Sequence, residues 1–169
     1  MNGYSYKNNS VDYNTTKITD NGWHLNFKGA TNQSKTDSAK AKGREDDGTK
    51  NYQVNLNGNK WLNDDLKLKS TFYYRDTKSD YDSSATQEES VTADNKMYAL
   101  QTGVERKTNN SLDNLIFHYH NYDRKYYVLG KKDKYYSESL VAKAEREVAV
   151  DDKLSYGFGS EYKYDWGII

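Results

Sequence analysis

Apolar and polar residues alternate along eight stretches of this chain, and turn-forming residues separate the stretches. Alternation with a period of two is typical of β-strands that have one apolar and one polar face. The connections between the stretches are alternately short and long, which is typical of transmembrane β-barrels with turns on one rim and loops on the other. We therefore predict an all-β fold, a section of an antiparallel transmembrane β-barrel of about eight strands.

The short connections contain residues that favour tight turns. Asn21-Gly22 is a strong hairpin signal, and Asn63-Asp64-Asp65 has the composition of a tight turn. Two further turns are predicted near residues 110 and 151. Long loops are predicted at 36–49, at 76–95 and at about 125–134. The first strand, at 2–14, is the weakest prediction because its alternation decays after residue 8.

One side of each predicted strand carries most of the aromatic side chains. The chain has 17 Tyr, 4 Phe and 3 Trp, and tyrosine suits a strand that meets a membrane interface because its ring is apolar and its hydroxyl is polar. We predict that the following residues face lipid: Trp23, Leu25, Phe27, Tyr52, Val54, Leu56, Leu66, Leu68, Phe72, Tyr74, Tyr98, Leu100, Leu115, Phe117, Tyr119, Leu140, Leu154, Tyr156, Phe158 and Tyr162.

The opposite side of the predicted strands is polar and charged. We predict that its residues face the barrel lumen: His24, Lys28, Lys67, Lys69, Glu105, His118, His120, Lys143, Glu145 and Lys163. A lumen wall of this kind needs no specific ligand, although its charges can tune passage. Arg106 and Arg146 fall on the lipid-facing side but lie towards the turn end, where a charge costs little.

Composition limits the classes of protein that fit. The mean hydropathy is −1.16, and no apolar run is long enough for a membrane-spanning helix, but a barrel needs an apolar residue only at every second position. There are 25 basic and 25 acidic residues and no Cys or Pro, so bulk charge does not favour nucleic-acid binding. We predict one domain over 1–169. The first residues lack the basic and apolar regions of a signal peptide, which favours a piece of a longer protein.

The segments around the third and fourth predicted strands resemble a known family. They read DDGTKNYQVNLN at 46–57, LNDDLKL at 62–68 and YYRDTKSDYD at 73–82, and Gly159-Ser160-Glu161-Tyr162 is similar to a last-strand motif. This pattern resembles the barrel of TonB-dependent outer-membrane receptors, especially the cobalamin-transporter-like branch. The segment whose residues match this family best covers 46–82. The rest of the chain shares only the alternation of strands, turns and loops.

The resemblance implies a function and a location. Such receptors import a scarce nutrient, cobalamin or a metal chelate, through a plugged barrel of about 22 strands in the outer membrane of a Gram-negative bacterium. The expected partners are the lipid bilayer and a small-molecule substrate, with the TonB system only if a full-length receptor exists, and no nucleic acid. The plug domain and the TonB-contacting segment are missing from this sequence.

Two groups of residues are candidates for metal binding. The resemblance places Asp47, Tyr81 and Asp82 nearest a calcium-binding role, and carboxylates from neighbouring loops supply the oxygen ligands that Ca²⁺ requires. The simpler interpretation is that these acidic loops are only solvated. His118 and His120 have a spacing that allows two imidazoles to share one metal ion. No third ligand is evident, and polar lining of the lumen is the simpler interpretation.

No motif indicates an enzyme. The nucleophile elbow, the phosphate-binding loop and the dinucleotide fingerprint are all absent from the sequence. Two alternatives remain open, a soluble β-rich binding module whose aromatic faces pack together and a complete eight-stranded barrel with a structural or adhesive role.

A section of barrel has two unpaired strand edges, which promote association between chains. We therefore expect the isolated chain to aggregate in water and to need detergent. Size-exclusion chromatography without detergent measures this, and a sharp monomeric peak would contradict the expectation.

Overall fold

The computed structural model describes residues 6–37, 46–82, 90–128 and 131–168. These residues form a single antiparallel sheet whose eight strands follow one another in chain order. The strands are β1 (Tyr6–Ile18), β2 (His24–Asp37), β3 (Asp46–Trp61), β4 (Leu66–Asp82), β5 (Ser90–Lys107), β6 (Ser111–Val128), β7 (Lys131–Ala149) and β8 (Ser155–Ile168). The predicted all-β antiparallel fold is confirmed.

The strand register sorts the side chains into two faces. Residues directly opposite each other in an antiparallel pair lie on the same face, so Phe72, which pairs with Leu56 and Leu100, shares a face with both. All strand residues predicted to face lipid fall on this side, called here the apolar face. All residues predicted to face the lumen fall on the opposite side, called here the polar face.

Trp23, which precedes β2, lies on the apolar face with Leu25. A Cβ added at Gly58 would lie 3.6 Å from the Trp23 ring and 3.3 Å from the Leu25 side chain. Gly58 is directly opposite Leu25 in the register. The absence of a side chain at this position therefore leaves room for the indole ring against β3.

The described strands make a single layer. Each of them contacts only its neighbours in the sheet, and the buried apolar side chains within the described segments are Val91 and Ala93. The apolar face is the more exposed of the two. On β6, Leu115 and Phe117 are exposed whereas Ile116 between them is half-buried. This difference indicates curvature towards the polar face, because side chains on a concave surface crowd together.

The four short turns use the same stabilising contact. In each turn the side-chain oxygen of an early residue accepts a hydrogen bond from a backbone N–H near its end, as in Asx- and ST-turns. These bonds run from Trp23 N to Thr19 Oγ1 (3.0 Å), from Leu66 N to Asn63 Oδ1 (2.8 Å), from Ser111 N to Thr108 Oγ1 (3.1 Å) and from Leu154 N to Asp151 Oδ1 (2.9 Å). All four predicted turns are confirmed.

The turn between β1 and β2 also depends on a glycine. Gly22 has φ of 81°, a left-handed conformation that residues with a Cβ rarely adopt. Its N–H donates to the Thr19 carbonyl oxygen at 2.9 Å. The Asn21-Gly22 signal therefore marked the correct hairpin.

The strands extend further than predicted. β4 continues to Asp82 and β5 begins at Ser90, so much of the predicted loop 76–95 is strand. β6 ends at Val128 and β7 begins at Lys131, so the long connection predicted at 125–134 is wrong. Of the loop predicted at 36–49, residues 36–37 and 46–49 are strand, and residues 38–45 lie outside the described residues. The first strand continues to Ile18, beyond its predicted end at residue 14, and residues 2–5 lie outside the described residues.

These errors have one physical cause. The backbone ladder continues wherever neighbouring N–H and C=O groups can pair, whereas side-chain alternation requires one face to be apolar. Near the loop rim both faces of the sheet are polar, so the alternation disappears while the strand continues.

At position 103 of β5 the close approach of β6 leaves no room for a Cβ atom. An added Cβ would collide with the Leu115 carbonyl oxygen and lie 3.2 Å from Ile116 Cα, both of them backbone atoms of β6. Gly103→Ala is expected to lower the free energy of unfolding by about 1–3 kcal/mol, measured by urea unfolding in detergent micelles.

Gly157→Ala is the matched control in β8. The nearest atom to its added Cβ is the Arg146 carbonyl oxygen at 3.5 Å, an ordinary contact. We expect this variant to be as stable as the parent chain or slightly more stable. Equal stability of the Gly103 and Gly157 variants would contradict the close approach of β5 to β6.

Candidate functional site

The polar face is the candidate functional surface, and amides and hydroxyls cover its β1–β4 half. Asn26 Nδ2 donates to Asn14 Oδ1 at 2.9 Å and to Thr16 Oγ1 at 3.0 Å. Thr71 Oγ1 donates to Asn57 Oδ1 at 2.9 Å. These cross-strand bonds hold neutral polar groups in fixed positions. This half therefore offers a hydrophilic wall of mostly neutral groups, interrupted by charged side chains such as Lys28 and Lys67.

The β4–β8 half of the polar face carries charges in ion pairs. Lys143 Nζ lies 2.7 Å from Glu145 Oε1, Lys163 Nζ lies 2.9 Å from Asp165 Oδ2, and Lys69 is paired with Glu105. Such partly exposed pairs contribute little to stability. Most of the charged residues predicted to face the lumen therefore have a neighbouring group of opposite charge.

The two histidines predicted to share a face are in contact. His120 Nδ1 lies 3.3 Å from His118 Nε2, and their ring centroids are 5.5 Å apart. His24 is on β2, at the far side of the sheet. Within the described segments no three His, Cys, Asp or Glu side chains are grouped in a way that could hold a metal ion. The pair lies on the polar face, and its role as lining of a lumen stays a prediction.

Arginines and tyrosines gather on the polar face near the loop rim. Arg75 shares a row with Tyr122 across β5, and Arg124 is directly opposite Tyr135. Tyr126 is on the same face of β6, two residues beyond Arg124. These five residues, called here the outer patch, lie on β4, β6 and β7.

The surroundings of Arg124 are those of a binding site for an anion. Its guanidinium carbon lies 5.5 Å from the Tyr126 ring centroid, and its Nε is buried without a hydrogen-bond partner among the described residues. Tyr122 is fixed by a 2.9 Å hydrogen bond from its hydroxyl to Asn95 Oδ1. A planar cation beside phenol rings binds carboxylates, phosphates and aromatic anions.

Sequence reasoning missed this patch because it assigned 125–134 to a loop. Arg75 was recognised only as part of a basic stripe with Lys67 and Lys69. The available signal was the aromatic content of 122–136, where tyrosines recur on both parities together with arginine and lysine.

The acidic residues near the proposed calcium site are in strands. Asp76 lies 3.4 Å from Lys96 Nζ, and Asp80 accepts a 2.9 Å hydrogen bond from Thr92 Oγ1. Their assignment to a loop was wrong, because β4 continues past them.

The three calcium-binding candidates lie at the loop ends of two neighbouring strands. Asp47 is on β3, one residue before Gly48, which is directly opposite Asp80; Tyr81 and Asp82 follow Asp80 on β4. The side chains of Tyr81 and Asp82 lie outside the described part of the structure. Calcium binding by Asp47, Tyr81 and Asp82 therefore stays a prediction.

The apolar face carries exposed large side chains on each strand from β3 to β7. Tyr52, Phe72, Leu100, Phe117 and Leu140 are between 39% and 54% exposed. Within the described segments there is no helix of the length and apolarity needed to cross a membrane.

Comparison with solved structures identifies the fold. The siderophore receptor PiuA from Acinetobacter baumannii superposes with a TM-score of 0.58 at 11% identity, over 98% of this chain and 40% of that chain. The outer membrane transporter YddB from Escherichia coli gives a TM-score of 0.56 at 11% identity, over 96% and 30%.

The chain thus spans less than half of either structure, and at this identity the likeness establishes the fold alone, an antiparallel sheet like a section of those barrels. No protein-family model and no curated protein match the sequence.

Leu100 and Gln101 provide a test of which face meets lipid. Both side chains are exposed, so water would tolerate a lysine at either position. Leu100 lies between Phe72 and Tyr119 on the apolar face, where a lysine near the bilayer midplane costs about 2–4 kcal/mol. We expect Leu100→Lys to reduce folding into vesicles by that amount.

Gln101→Lys is the control on the polar face of the same strand, and we expect it to fold like the parent chain. Both variants are measured by heat-modifiable migration and urea unfolding in vesicles. If both fold equally well, the apolar face does not contact lipid.

Proposed function

We propose that this chain forms part of the barrel of a TonB-dependent-type receptor in the outer membrane of a Gram-negative bacterium. The barrel would take up a scarce nutrient, most simply a metal chelate. The apolar face would meet lipid and the polar face would line the passage. The chain itself performs no catalysis in this proposal.

The observation that carries the proposal is the separation of the two faces. An exposed apolar face runs across the strands of a single-layered sheet, and a hydrogen-bonded hydrophilic face lies behind it. In water the first face would be an unusually large exposed apolar surface. In a bilayer it is the lipid-contacting surface of a barrel, and the polar face becomes the lumen wall.

The outer patch supports the choice of substrate class. Arg75 and Arg124 present positive charge on the polar face near the loop rim, flanked by tyrosine rings. An incoming chelate with carboxylate, catecholate or phosphate groups would meet this surface first. Similarity of the fold to a siderophore receptor agrees with a metal chelate. Cobalamin, which the sequence resemblance suggests, is the alternative substrate.

The TonB system enters only through the resemblance of residues 46–82 to TonB-dependent receptors. Energy coupling of this kind acts on a plug domain, and the described sheet consists only of barrel-type strands. TonB is therefore proposed as a partner of a full-length receptor.

The two alternative functions fit the geometry less well. A soluble module would need a second layer to cover its aromatic side chains, and the described strands form one layer. A complete eight-stranded barrel would pair β1 with β8, and in the described sheet these two strands are its opposite edges.

The double substitution Arg75→Gln with Arg124→Gln tests substrate capture. We expect it to weaken binding of an anionic ferric chelate at least about tenfold, because each charge-assisted hydrogen bond contributes roughly 1.5–3 kcal/mol. Binding is measured by fluorescence quenching of the chain in uncharged detergent.

Arg106→Gln is the matched control, since Arg106 is an exposed arginine on the other face near a turn. We expect it to leave binding unchanged. Equal affinities of all three proteins would remove the outer patch from the proposal, and a loss caused by Arg106→Gln would indicate a nonspecific effect of charge.

A further inference from the structure

The rings of His118 and His120 lie closer together than their shared position on one face of β6 requires. His120 Nδ1 is 3.3 Å from His118 Nε2, whereas residues two apart in a strand are separated by about 7 Å along the backbone. The two side chains therefore lean towards each other, and one nitrogen of each ring comes to the same place. A role as polar lining alone does not require this approach.

The distance between the two nitrogens is that of neighbouring ligands on one metal ion. Zinc binds histidine nitrogen at about 2.0–2.1 Å in tetrahedral geometry, which places neighbouring ligand atoms about 3.3–3.4 Å apart. The 3.3 Å between His118 Nε2 and His120 Nδ1 matches this spacing. Ligands in the square plane of Cu²⁺ are closer together, and Ca²⁺ and Mg²⁺ prefer oxygen ligands. The geometry therefore favours zinc.

The same distance fits a hydrogen bond between the rings, in which one of the facing nitrogens carries the proton. A neutral imidazole can carry its proton on either nitrogen. When both protons are on the outer nitrogens, His118 Nδ1 and His120 Nε2, the two facing nitrogens are both free to bind a metal ion. The hydrogen bond thus holds the rings in position before the ion arrives, and such preorganisation lowers the cost of binding.

The neighbouring strands place no charge directly beside the pair. The residues directly opposite the two histidines on β5 and β7 are Ala99, Gln101, Ser139 and Val141. On β8, Lys163 and Asp165 continue these two rows and pair with each other at 2.9 Å. A divalent cation between the rings therefore meets no positive charge on the directly opposed residues.

We propose that His118 and His120 form a two-ligand site for Zn²⁺ on the polar face, with the remaining positions filled by water or by donor atoms of a bound molecule. Within the described segments no third histidine, cysteine or acidic side chain completes a metal-binding group, so the ion stays open to exchange. Binding by the pair does not depend on the proposed function. In the proposed barrel the ion would be held on the lumen wall, at the level of Leu100 and Leu140 on the other face.

Calorimetric titration of the full chain with zinc chloride, in uncharged detergent, tests this site. The variants are His118→Gln and His120→Gln. Each is expected to weaken zinc binding at least about tenfold, because the second ligand of a chelating pair binds intramolecularly. The two losses are expected to be similar, and the double variant is expected to bind no more weakly than a single exposed histidine.

His24→Gln is the matched control, since His24 is the third of the chain's 3 histidines and is exposed on the polar face of β2. It is expected to leave zinc binding unchanged. Equal affinities of the parent chain and the two pair variants would overturn the inference. An equal loss in all three variants would also overturn it, because it would show that zinc binding is not specific to the pair.

Two further readouts respond to the ion but not to a lining role. Zinc should move both ring protons of the pair to the outer nitrogens, which ¹⁵N NMR of the imidazoles detects, and should leave His24 unchanged. Zinc should also raise the urea midpoint of the parent chain but not that of His118→Gln. Unchanged spectra, or equal midpoint shifts, would overturn the inference.

Failure of the proposed function is distinguishable from failure of the zinc site. Zinc binding by the pair together with equal folding of Leu100→Lys and Gln101→Lys in vesicles would uphold the site and overturn the proposed function.

Discussion

The structure depends on one constraint, the pairing of every strand with its neighbours in a fixed antiparallel register. Because side chains alternate between faces, a shift of one residue would exchange the two faces of a strand. The row Phe27–Leu56–Phe72–Leu100–Tyr119–Leu140 is continuous through six strands only because every register agrees. A strand pairing out of step would place histidine or lysine in the middle of the apolar surface.

Glu138 shows how the apolar face accommodates a charged group beside the row of Leu100 and Tyr119. Glu138 lies on this face, and its carboxylate accepts hydrogen bonds from the hydroxyls of Tyr119, at 2.8 Å, and Tyr136. The Tyr136 ring in turn meets Trp166 edge to face, with centroids 5.4 Å apart. The carboxylate is thus held by hydroxyl donors, and the rings that carry these hydroxyls are apolar at their other end.

The strands and turns could be predicted where they require particular residue types at neighbouring positions of the sequence. The four turns were found because Thr19, Asn63, Thr108 and Asp151 lie in stretches of turn-forming residues, although the shared hydrogen bond could not be foreseen. The faces followed from alternation in the middle of the strands.

The strand ends could not be predicted because the alternation disappears before the hydrogen-bonded ladder ends. The region 122–136 shows the consequence most clearly. There tyrosine, lysine and arginine occur on both parities, so neither period nor composition separates strand from loop. Only the cross-strand register assigns Arg124 to the polar face and Lys125 to the other. The outer patch could therefore not be found until neighbouring strands were placed side by side.

The need to pair every strand also applies to the two edges of the sheet. β1 and β8 each pair on one side only within the described sheet. On the apolar face of β8, Tyr162, Tyr164 and Trp166 are exposed. Backbone N–H and C=O groups cannot remain unpaired in hydrocarbon, which is why membrane-spanning sheets close into barrels. If the apolar face meets lipid, both edges require partner strands, and a continuing barrel of the same kind would supply them without altering either face.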